Sequence, residues 1–170
     1  MPPNLDIYVI SKHRDRDSIA RFLETWVDCE TSNDRGDEEL MLLPPGMSNE
    51  PDYLPEWEWD PAHTLGHIVQ RGLDQPPRAF AVYLKPRNQT LSGVILAFTT
   101  DSRVVFGVSL DDADENAVNL ANAKRILNTL ARDFDADAGY VTCEEPPPFV
   151  ATKIPPDCQR ILFTWAPDEG

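Results

Sequence analysis

The chain is poor in positive charge. Its 170 residues hold 15 Lys and Arg against 29 Asp and Glu, a formal net charge of −14. A surface that acidic repels phosphate backbones and anionic lipid, and no RNA- or DNA-binding signature occurs. Neither nucleic acid nor a membrane surface is an expected partner. No run approaches the roughly 18 to 20 consecutive apolar residues that a membrane helix needs. There are only three cysteines, Cys29, Cys143 and Cys158, an odd number that does not read as a disulfide framework. The opening MPPNLDIYVI has no basic n-region or long apolar run, and Pro2 stands where myristoylation needs glycine. A cytoplasmic location is the expectation. Motifs for catalysis are equally scarce. There is no glycine-rich phosphate loop and no G-x-S-x-G elbow, and Ser11 near His13 has no triad spacing. Glu144 and Glu145 beside Cys143 work against a reactive thiolate. No cofactor motif and no catalytic set can be read.

What is present is enough apolar content, 41%, to build a core. Residues 5–10 (LDIYVI) read as a strand. Ile19, Phe22, Leu23, Trp26 and Val27 then recur at helical spacing, with Asp15 or Asp17 as N-cap. Asp60-Pro61 reads as N-cap and first position of a second helix, whose apolar face is Leu65, Ile68 and Val69 and whose C′ residue is Gly72. Three strands joined by short turns follow at 78–85, 91–99 and 103–110, an antiparallel meander whose middle run is covered on both faces. A long helix over about 112–134 carries Leu120, Ala123, Leu127, Leu130 and Phe134 on one side, with Asp111, Asp112, Asp114 and Glu115 crowding its start. Strands at 139–144 and 160–165 close the pattern. The fold class expected is α+β: one domain over 1–170, an antiparallel-rich sheet with about three helices packed on one face.

Residues 28–60 stand apart. Only Glu38–Leu43 reads as a short strand, and Gly36, Pro44, Pro45, Gly46, Pro51 and Pro55 punctuate the rest. Loop-rich segments of this length are uncommon and often functional. This one holds eleven acids against a single base, Arg35, and so carries −10 of the −14.

Two metal patterns deserve weighing. His63 and His67 share a helix face at i, i+4, as zinc proteases arrange theirs, but Thr64 replaces the glutamate base; Glu56, Glu58 and Asp60 are nearby carboxylates. Asp133, Asp135, Asp137 and Glu144 fall at positions 1, 3, 5 and 12 of a calcium loop, but Ala138 stands where the turn needs glycine. Neither is expected to be a metal site. The basic residues Lys12, Arg14, Arg16 and Arg21 alternate with Asp15 and Asp17 and read as a solvated helix edge.

The richest segment is 51–60, where Tyr53, Trp57 and Trp59 interleave with Asp52, Glu56, Glu58 and Asp60. Aromatics anchor interfaces, and carboxylates steer a cationic partner. The stretches LDIYVISKHRD, IARFLETWVD, DRGDEELMLLP and EWEWDPAHTLGHIVQRGLD, about the first half of the chain, resemble small acidic bacterial proteins that serve as immunity partners of secreted toxins. That resemblance implies inhibition by plugging a basic active site. The function expected is therefore capture of a basic protein partner. Tyr53, Trp57 and Trp59 would anchor it, and Glu38, Glu39, Glu56, Glu58 and Asp60 would attract it. A metal-assisted hydrolase built on His63 and His67, or a structural or oligomeric subunit, are the alternatives.

Overall fold

The computed structural model describes residues 4–29, 39–42, 58–61, 65–75, 77, 79–112, 117–151 and 160–167. Among these residues eight strands form one sheet: β1 (Asn4–Ser11), β2 (Glu39–Leu42), β3 (Glu58–Pro61), β4 (Phe80–Leu84), β5 (Gly93–Phe98), β6 (Val104–Asp111), β7 (Ala136–Cys143) and β8 (Ile161–Trp165). Their order is β3-β2-β4-β5-β6-β1-β7-β8, and every pairing is antiparallel. Among the described residues three helices are complete, α1 (Arg16–Trp26), α2 (Leu65–Leu73) and α3 (Ala117–Asp133). The expected α+β architecture is the one found. No helix among the described residues is long and apolar enough to cross a membrane.

Successive strand residues point to opposite faces, and here both faces are apolar at the centre. Leu5, Ile7 and Val9 of β1, Val94, Leu96 and Phe98 of β5, and Phe106 and Val108 of β6 meet the helices. Each helix contributes the stripe its periodicity announced: Ile19, Phe22 and Leu23 from α1, Leu65, Ile68 and Val69 from α2, Ala123, Leu127 and Leu130 from α3. Tyr8, Ile10, Ala81, Ile95, Ala97, Val105 and Tyr140 form a second, smaller cluster on the opposite face. Part of that face is covered by the segment after β7. Phe149 O accepts from Thr100 N at 2.9 Å, and Ala151 N donates to Asp101 Oδ1 at 3.0 Å.

Asp15 is the N-cap of α1, its carboxylate accepting from Ser18 N at 2.8 Å. This hydrogen bond holds the Asp15 carboxyl below its ordinary range. Two expectations need correction. Asp60 and Pro61 do not open a helix; they lie in β3, in register with Leu40 and Glu39. The alternation of Glu58, Trp59 and Asp60 is a strand period, and proline is tolerated where a strand lies at the sheet margin. Gly72 is not a C′ residue. It lies inside α2, buried, where a Cβ would come within 2.1 Å of the Phe98 ring. The glycine is there so that the helix can lie against that ring.

Gly72→Ala should therefore destabilise the fold by about 1–3 kcal/mol through overpacking, although alanine is the better helix former by about 1 kcal/mol. Phe98 is fully buried and lies against Phe80 with ring centroids 4.8 Å apart, so it has little room to yield. Urea denaturation of the two proteins reads this directly; a raised midpoint in the variant would refute the packing account.

Candidate functional site

The face of the sheet away from the helices carries a cleft of about 660 Å³. Asp6, Tyr8, Tyr83, Gly93, Ser109 and Glu144 are among its walls. Strand register explains the assembly. Asp6 pairs with Ser109 on β6 and Thr142 on β7, and Ser109 pairs in turn with Gly93 on β5. One row of four strands thus sets a carboxylate and a hydroxyl side by side, next to a position with no side chain. A Cβ at Gly93 would find nothing nearer than Ser109 at 3.9 Å, so the floor there is open. The next row sets Tyr8 between Tyr140 and Gly107, and continues through Ile95 to Tyr83. At Gly107 the close approach is real: a Cβ would sit 2.7 Å from the Tyr8 ring. The missing side chain lets that ring lie across the strand.

Asp6 is the chemical centre of the cleft. It is only 8% exposed, and its Oδ1 accepts from Ser109 Oγ at 2.5 Å. Burial lifts its carboxyl from the ordinary 3.8 to about 6; the Ser109 hydrogen bond opposes the shift and the neighbouring Glu144 carboxylate adds to it. Tyr8 donates its hydroxyl to Glu145 O at 2.8 Å, tying the segment after β7 over the cleft. Glu144 turns that segment with a left-handed φ of 54°, and its N–H donates to Asn4 O at 3.2 Å. Tyr83 forms the other wall and stays 50% exposed, a large aromatic ring open to solvent. Lys85, also at the cleft, pairs with Asp28 at 3.4 Å, and Arg160 reaches Glu145 at 3.7 Å. Sequence reasoning passed over this site. Its one local signal is Asp6, an acid inside the strand run LDIYVI, two residues from Tyr8 on the same face.

Of the residues named from sequence for partner binding, Glu39 lies on β2 and Glu58, Trp59 and Asp60 on β3. Pairing sets Glu39 opposite Pro61, Leu40 opposite Asp60, Met41 opposite Trp59 and Leu42 opposite Glu58, at one end of the sheet order. Glu38, Tyr53, Glu56 and Trp57 lie outside the described residues, as does His63. His67 is on the exposed side of α2.

The calcium pattern does not converge. Asp135 accepts from Lys12 Nζ at 2.9 Å and pairs with His13 Nε2 at 3.1 Å, Asp137 pairs with Arg103, and Asp133 takes Arg132 Nε at 3.0 Å. The hydrogen bond from Lys12 is the main reason the Asp135 carboxyl is held low. Asp137 and Glu144 sit toward opposite ends of β7, roughly 23 Å apart at strand rise, too far to share an ion. Among the described residues no group of three or more His, Cys, Asp and Glu could hold a metal ion.

The basic residues after β1 lie on an exposed edge, as expected, with Lys12, Arg16 and Arg21 open to solvent and Arg14 partly buried. Arg14 donates to Gly72 O at the end of α2, Arg16 to Gln70 Oε1, and Arg21 to Asp133 O at the end of α3. Arg14 and Arg21 thereby finish helix C-termini, where the dipole and unpaired carbonyls favour a cation. The Cys29 thiol donates to Leu23 O at 3.7 Å, and Cys143 is a free thiol. Burial chiefly, and Glu144 next, pushes the Cys143 thiol up, away from reactivity.

No family model matches the chain, and no curated protein matches it. Among solved structures, the chain is similar to one from the 1.75 Å crystal structure of the toxic C-terminal tip of CdiA from Pseudomonas aeruginosa in complex with immune protein. The two share 13% identity over 96% of this chain and 95% of that one, with a TM-score of 0.45, a likeness too slight to bear on function.

Proposed function

We propose that this protein is an acidic binding protein of the immunity-inhibitor kind, which captures a basic protein partner in the cytoplasm. The observation that carries this reading is the placement of charge: residues 28–60 hold −10 of the net −14. The strands β2 and β3 bring two parts of that segment, Glu39 and Glu58–Asp60, side by side at the end of the sheet. Several of the cations outside it have internal partners, Arg14 and Arg21 on helix-end carbonyls and Arg16 on the Gln70 side chain. The free thiol of Cys143 suits a reducing compartment. In this reading Tyr53, Trp57 and Trp59 supply the buried contact, and Glu38, Glu39, Glu56, Glu58 and Asp60 speed encounter. Complementary charge of this kind raises association rates by about 10- to 1,000-fold at low salt.

The test is affinity purification from the native host, followed by association kinetics with the captured protein over rising salt. A basic partner whose association rate falls steeply between low and high salt is the expected result. An acidic partner, or an association rate indifferent to salt, would overturn the reading.

A further inference from the structure

The cleft on the open face has a chemistry of its own. It combines a buried carboxylate, two tyrosine rings and a floor opened by Gly93. The one cation lining it, Lys85, is engaged by Asp28 at 3.4 Å. Asp6 and Glu144 have no cationic partner among the described residues. A carboxylate beside an exposed aromatic face is complementary to a flat organic cation, which pairs with the acid and stacks on the ring. Burial also disfavours the Asp6 charge, so a cation brought into the cleft would relieve it.

The cleft adjoins the acidic strands. Tyr83 follows Val82 on β4, and Val82 pairs with Leu40, the neighbour of Glu39 on β2. We infer that the cleft between Asp6, Tyr8, Tyr83 and Glu144 receives a single arginine side chain of the protein partner. Its guanidinium would meet the Asp6 carboxylate beside Ser109 and lie along the Tyr83 ring. Arginine fits better than lysine because its planar fork can pair and stack at once, whereas an ammonium is a compact, strongly hydrated point charge. This inference deepens the proposed function by naming the residue type that the partner inserts.

The experiment titrates the whole protein with N-acetyl-arginine methylamide and follows backbone amide shifts by NMR. Saturable shifts at Asp6, Tyr83, Gly93 and Ser109 are expected, with a dissociation constant of about a millimolar for so small a probe. The norleucine analogue, which has the stem without the cation, should leave these amides unmoved. Asp6→Asn should weaken the probe by roughly tenfold or more through loss of the charge-assisted pair. Tyr83→Ala, at a half-exposed position, should weaken it by roughly threefold. The spectrum of each variant shows whether it is folded, and two variants guard against one failing to fold. Shifts confined to other surfaces, or equal binding by folded Asp6→Asn, would overturn the inference. So would tighter binding of spermidine than of the arginine probe, which would make the cleft a polyamine site. The probe needs no partner. A basic partner captured in the absence of probe binding leaves the proposed function standing and removes the cleft from it; probe binding without a basic partner does the reverse.

Discussion

Replacing Phe106 with alanine should cost about 3–5 kcal/mol, the largest single loss expected in this fold. Phe106 is fully buried at the middle of β6 and joins three parts of the structure. Its ring stacks on Phe22 of α1 at 4.4 Å and meets Phe134, just past α3, at 4.9 Å. Phe22 and Phe134 close the triangle edge to face at 5.5 Å. Arg21 lies over the outer side of Phe134 at 5.1 Å while its guanidinium also holds Asp133 O, so the cluster is lidded by a cation that cannot follow a collapse without breaking that bond. Truncation therefore leaves a cavity with helices on one side and sheet on the other, and neither can close it freely. Phe106→Leu, which keeps most of the volume, should lose much less. Denaturant unfolding measures both, and a loss for Phe106→Ala below about 1 kcal/mol would show that the cluster is not a packing centre.

Those three phenylalanines also show how much of the fold could be read in advance. Phe22 and Phe134 each lay on an apolar stripe with helical period, and Phe106 lay in a strand-like run between turn residues. Period, caps and turns are local, so the helices, the meander of β4, β5 and β6 and the cap at Asp15 were legible. What failed was non-local or ambiguous. Nothing in the sequence placed β1 between β6 and β7, since that pairing joins residues a hundred positions apart. Asp60-Pro61 offered a helix start and a strand end at once, and the sheet margin decided it. Gly72 carried the look of a helix terminus, but its role depends on Phe98, 26 positions later and on another element. The cleft was hidden for the same reason. Asp6, Tyr83 and Ser109 come from three strands, and the Asp6–Ser109 hydrogen bond spans 103 positions. The acidic segment, by contrast, was plain in composition, because charge density needs no partner to be counted.

Asp6→Asn should make the protein more stable at neutral pH, by about 2–3 kcal/mol. Burial lifts the Asp6 carboxyl from 3.8 to about 6, so the folded chain holds the proton more tightly than the unfolded chain does. The contribution of Asp6 is then most favourable below pH 3.8. It erodes as pH rises from 3.8 to about 6, and above that the full cost of keeping the charge stands. Such a displacement is worth roughly 3 kcal/mol at 1.36 kcal/mol per pH unit, an upper figure for a group with one side toward a cleft. Asparagine cannot ionise, and its amide oxygen can still accept from Ser109, so the variant escapes the cost without losing the bond. Unfolding free energies of both proteins from pH 4 to pH 8 should coincide at the acid end and separate steadily through pH 6. A gap that does not change with pH would mean that burial does not penalise this charge. The same substitution should weaken the cleft's hold on an arginine side chain by roughly tenfold or more. A position where the native residue lowers stability and its neutral isostere lowers binding is one held by function rather than by the fold. An arginine bound there should also return part of the lost stability, since a cation beside Asp6 draws its carboxyl back toward 3.8 and favours the ionised form.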